Sequence, residues 1–106
     1  MNQKLEILDK RFEKAVNKIF NFESLIFKSE ELIDKNEFEQ ARGLLLSILN
    51  IDEFQPDALN NMGVIEMLSN NYEAAAKYFN RLLEVDPDNE IAKQNFECLA
   101  KMSINT

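Results

Sequence analysis

Apolar residues along this chain fall at helical spacing, with little punctuation between them. Leu5, Leu8, Phe12, Ala15 and Ile19, with Phe22 just beyond, alternate steps of three and four, the heptad pattern of a single helix face. Neither Gly nor Pro interrupts residues 3–20, so the spacing predicts one amphipathic helix there. Further on, the pattern predicts helices over about 23–35 and 37–51, with Asn36 at the turn between them. Pro56 opens another helix near 57–69, Asn70-Asn71 makes a turn, and a fourth helix runs over about 72–85. Asp86-Pro87-Asp88 stops it, because proline after the last turn cannot continue the hydrogen-bond ladder. Asp86 or Asp88 is placed to cap a last helix beginning near Asn89. Over 89–104, Ala92, Phe96, Leu99 and Ile104 form its inner stripe, and Lys101 near its end complements the helix dipole.

The pattern also repeats. An offset of 34 residues aligns Leu25 with Leu59, Ser29 with Gly63, Asn36 with Asn70 and Phe38 with Tyr72. It continues without a gap through Ala41 and Ala75, Leu45 and Phe79, Ile48 and Leu82, Leu49 and Leu83, Ile51 and Val85, and Asp52 and Asp86. Small residues at matched places (Ser29 and Gly63, Ala41 and Ala75) allow two helices to cross closely, and the large residues beside them fill the remaining space. The N-terminal stripe is not another copy. One more shift back sets Arg11 against Leu45 and Lys14 against Ile48, both core places.

Leu59-x-x-Met62-Gly63 followed by Tyr72, Ala75, Phe79 and Pro87 resembles the tetratricopeptide repeat in order and spacing. The resemblance covers two repeats, 22–55 and 56–89, plus a following helix, with the second repeat much closer to the pattern than the first. Leu25 and Leu59 stand where Trp is common, Glu66 where an aromatic is usual, Lys28 for a Leu, and Glu53 for the terminal Pro of the first repeat. Ile48 and Leu82 sit where Ala is typical. The implied fold is all-α: a right-handed solenoid of antiparallel helix pairs in one domain over 1–106. It comprises an N-terminal amphipathic helix (1–21), a degenerate repeat (22–55), a second repeat (56–89) and a capping helix (90–106).

Composition narrows the function. The net charge of −7 disfavours nucleic acid and anionic membrane as partners, since both reward clustered Lys and Arg. The charge is uneven: residues 1–21 hold five basic groups against three acidic ones, and the remainder carries −9. No stretch approaches the roughly 20 apolar residues that span a bilayer. The first residues lack the layout of a secretory signal, and the single cysteine, Cys98, cannot pair within the chain, so a cytoplasmic location is expected. The chain has no histidine, the commonest general base and zinc ligand, and no cofactor, metal or catalysis is expected. Glu30-Glu31 and the Glu37, Glu39 pair read as solvated carboxylates, and Cys98 as a small half-buried side chain.

The resemblance implies a role in binding a protein or peptide on a concave face lined by the first helix of each repeat. The family's groove positions fall on Ile26, Glu30 and Ile33, on Asn60, Val64 and Met67 with Asn61 beside them, and on Gln94 and Cys98. Such a wall, apolar and amide-bearing, suits a helix or an extended peptide. Ile33, Val64 and Met67 at this spacing fit a core role as well, and Asn60 and Asn61 fit a solvated face. Capture of an acidic chaperone tail is not expected, since Ile26 and Glu30 occupy places where that function needs basic and amide groups. The N-terminal stripe admits three roles: a cap over the first repeat, a homodimer contact, or an occupant of the groove. A resemblance to repeats attached to bacterial glycosyltransferases and methyltransferases leaves an accessory segment of a larger enzyme as the alternative.

Overall fold

The computed structural model describes residues 21–104, and among these it is all helix and turn. The predicted helix over 3–20 lies outside the described residues, as does the side chain of Ile104. Five helices follow one another: α1 covers 21–34, α2 Phe38–Ile51, α3 Pro56–Leu68, α4 Tyr72–Val85 and α5 Glu90–Ile104. The bounds fall within about two residues of those read from the pattern.

The 34-residue offset recurs in the backbone itself. Asn36 and Asn70, one offset apart, both take left-handed φ values, 60° and 65°. The amide after each returns to a carbonyl five residues earlier: Glu37 N donates to Leu32 O at 2.8 Å and Asn71 N to Glu66 O at 2.8 Å. With Asn36 N donating to Ile33 O and Asn70 N to Met67 O, each first helix ends in the same Schellman closure. Asn tolerates this conformation better than other residues with a Cβ.

Helix starts repeat as well. Pro56 occupies the first turn of α3, and the Gln55 side chain accepts the Ala58 amide at 2.7 Å. One offset on, Asn89 Oδ1 accepts the Ala92 amide at 2.9 Å. The cap of α5 is therefore Asn89, and neither Asp86 nor Asp88 as expected from the sequence. Asp86 instead accepts from Asn89 Nδ2 at 3.1 Å and so holds the capping amide in place.

α3 is the centre of the packing. Ala58, Met62 and Ile65 join Ile26 and Leu32 of α1 and Ala41, Leu45 and Ile48 of α2 in one buried cluster. Met67 packs in a second cluster with Ala75, Phe79 and Leu99, and Leu59 in a third with Leu82 and Ala92. The alignment pairs Ala41 with Ala75, Leu45 with Phe79 and Ile48 with Leu82 are all fully buried. Gly63 lies so close to Phe79 that a Cβ there would stand 2.3 Å from the ring. The first repeat has Ser29 at this place, with its hydroxyl donating to Ile26 O at 2.7 Å, and the smaller Leu45 opposite in the alignment. Phe79 in turn meets Phe96 of α5 with ring centroids 6.4 Å apart and planes tilted by 55°.

Candidate partner-binding face

The first helices, α1, α3 and α5, carry every residue singled out for binding, and the structure separates them by depth. Met67 is buried in the core and Ile26 nearly so, while Ile33 and Val64 are partly buried against the first and second clusters. Glu30, Gln94 and Cys98 are exposed. Cys98 is thus more open than the half-buried side chain expected. Glu30, Glu37 and Glu39 face solvent, and Glu31 is half-exposed beside Lys28 at 3.8 Å.

Two amide positions behave differently from a solvated face. Asn61 is only 7% exposed, and its Nδ2 is buried without a hydrogen-bond partner. Asn60 is partly buried and accepts from Asn95 Nδ2 of α5 at 2.7 Å, while its own Nδ2 reaches Asn61 Oδ1 at 3.5 Å. A row of amides therefore runs from α3 to α5. Sequence reasoning passed over Asn95, although the 34-residue offset that aligns it with Asn61 was available to find it.

An ionic cluster escaped the sequence reading altogether. Arg42 of α2 donates to Glu66 of α3 through Nε at 3.0 Å and through a second nitrogen at 2.7 Å, and also pairs with Glu39. Asn71 Nδ2 donates to the other Glu66 oxygen at 2.9 Å. Glu66 stands where the repeat usually has an aromatic, and the ion pair across the repeat boundary is how this chain buries a carboxylate there. Hydrogen bonding to Glu66 raises the Arg42 pKa above its ordinary value, against the opposing effect of burial.

Beside Ile26 and Glu30 lies a groove of about 740 Å³ that the spacing did not announce. Its apolar surface comes from Phe22, Ile26 and Phe27 of α1 with Ile51 at the end of α2 and Pro56 at the start of α3. Glu23, Glu30, Asp52 and Asp57 surround it, and among the described residues no basic side chain lines it. Phe27 is 65% exposed and Ile51 58%, unusual openness for side chains of this size.

Among the described residues, no helix is long and apolar enough to cross a membrane, and no three His, Cys, Asp or Glu side chains are grouped to hold a metal ion. Residues 56–89 match the family profile of the tetratricopeptide repeat. No curated protein and no solved structure matches the chain. The matched segment is the unit built from α3, α4 and the Asp86-Pro87-Asp88 stop, with Gly63 against Phe79 and Ala75 buried. The match spans 34 of the 106 residues, so it is the 56–89 unit that is similar to a tetratricopeptide repeat.

Proposed function

We propose that this protein is a non-catalytic interaction module that receives a peptide or helix on a concave face formed by α1, α3 and α5. The observation that carries the reading is an amide row, Asn60 with Asn95, on the first helices, and an open apolar groove beside Ile26 supports it. Amides bond a peptide backbone as donor and acceptor, and apolar pockets take its anchoring side chains. Exposed Gln94 and Cys98 extend the face along α5, Val64 borders it, and Asn61 holds a spare donor just beneath.

The partner is a protein segment, and neither nucleic acid nor membrane suits the acidic surface. An exposed lone thiol fits a reducing compartment such as the cytoplasm. The test is selection of binding peptides from a displayed library, followed by amide chemical-shift mapping with a selected peptide. Shifts along the α1, α3 and α5 residues named above are expected, with weaker binding by Asn60→Ala at unchanged helicity. Shifts confined to the outward faces of α2 and α4 would reject the proposal.

A further inference from the structure

The groove beside Ile26 lies on a stripe that runs past the described residues. Phe22, Ile26, Ser29 and Ile33 follow one another in steps of four, three and four, and all are buried or partly buried in this fold. Continued toward the N-terminus, the same register passes through Ile19, Ala15, Phe12, Leu8 and Leu5 without a missed step. From Phe22 onward the chain covers the stripe itself. The stripe from Leu5 to Ile19 needs another apolar surface.

We propose that the acidic apolar groove at the start of α1 receives the 1–20 segment of a second copy of this chain, so that two copies pair reciprocally. This rests on the reading of the first-helix face as one that docks helices, and it names an occupant for one end of it. Charge selects that occupant. Among the described residues the groove is lined by four carboxylates and no cation, whereas the 1–20 segment carries Lys4, Lys10, Arg11, Lys14 and Lys18 and a net surplus of +2. Shape agrees, since the open Phe27 and Ile51 offer the apolar contact that Leu8, Phe12 and Ile19 require.

The chain's own segment is poorly placed for the same role. The groove flanks residues 22–30 of α1, and the chain is already helical at Asn21. To enter that groove, residues 3–20 would have to reverse direction at once, and they contain neither Gly nor Pro. A two-fold arrangement removes the difficulty, because each segment crosses to the other copy and the same patch is used twice.

The test uses the full chain. Sedimentation across a concentration series is expected to show a monomer–dimer equilibrium that weakens as salt is added. Zero-length carbodiimide coupling in a mixture of ¹⁴N- and ¹⁵N-labelled chains is expected to join Lys14 or Lys18 to Glu23, Glu30, Asp52 or Asp57 in peptides of mixed isotope. Phe27→Lys removes an apolar contact and sets a like charge against the basic segment at an exposed position of the groove, so it should leave the helical circular dichroism intact while weakening dimerisation about tenfold or more. A monomer at every concentration overturns the proposal. So do couplings confined to chains of one isotope, which would mean that the segment lies on its own groove. A dimer unaffected by Phe27→Lys also overturns it, since the segments would then pair with each other. Peptide binding at Asn60 and Gln94 is scored separately, so either proposal can fail without the other.

Discussion

Single side chains in this protein are constrained most where the two repeats differ at equivalent places. Gly63 with Phe79 in the second repeat corresponds to Ser29 with Leu45 in the first, so a larger residue on one helix goes with a smaller one on the other. Gly63→Ala should therefore cost about 1–3 kcal/mol by overpacking against the ring. Adding Phe79→Leu should return part of that loss, and urea denaturation of the single and double variants checks it; equal or additive losses would refute the compensation. Arg42 and Glu66 form the second constrained pair, with side chains 21% and 10% exposed. A double-mutant cycle of Arg42→Ala and Glu66→Ala should give a coupling of about 1–2 kcal/mol, since either change alone strands a charge at the repeat boundary. Additive effects would mean that solvent screens the pair. The Gly63 position was legible in the sequence, because small residues recur there at the offset. The Arg42–Glu66 bond was not, because the two residues lie 24 apart on different helices and no local spacing brings them together.

Helices in this chain are set by what ends them. Three kinds of boundary rest on positions that recur 34 apart: Asn36 and Asn70 in left-handed turns, Gln55 and Asn89 as caps, Asp52 and Asp86 at the ends of the second helices. Each acts on backbone groups within five residues of itself, which is why reading the sequence placed most boundaries closely. The one displaced assignment, Asp86 or Asp88 for the cap of α5, failed because the sequence offers several cap-competent residues in a row and only the backbone path chooses among them. Asn36→Ala and Asn70→Ala should each cost about 1 kcal/mol by putting an ordinary Cβ into the left-handed region. Replacement by Gly at the same places should be neutral or slightly stabilising, because glycine meets no such penalty. Thermal melts of the four variants check this, and a Gly variant as damaging as Ala would show that the Asn side chain, rather than its backbone conformation, is what matters.

At the scale of the whole molecule, the boundary between the repeats is itself core. Met62 of α3 is buried with residues of α1 and α2, while Leu59 and Met67 of the same helix are buried with α4 and α5. Unfolding one repeat would strip a face of α3, so the described helices should melt in one transition. Met62→Ala should lower stability by about 2–5 kcal/mol. Tyr72 of α4 packs against the second cluster, so in a Tyr78→Phe background its fluorescence reports the second repeat, whereas far-ultraviolet circular dichroism reports all helices. The two signals are expected to shift together in the variant; separate midpoints would show that the repeats unfold independently. By itself the sequence determined the helices of residues 21–104, their order, the 34-residue repeat and the buried stripe of each second helix, because hydrophobic period, caps and breakers act over a few residues. Only the tertiary structure decided that α3 is buried on opposite sides, that Asn61 lies under the surface, that Glu66 meets Arg42, and that Phe27 and Ile51 frame an open groove. Those features depend on how closely and at what angle helices distant in sequence cross, and spacing along one chain does not specify that geometry.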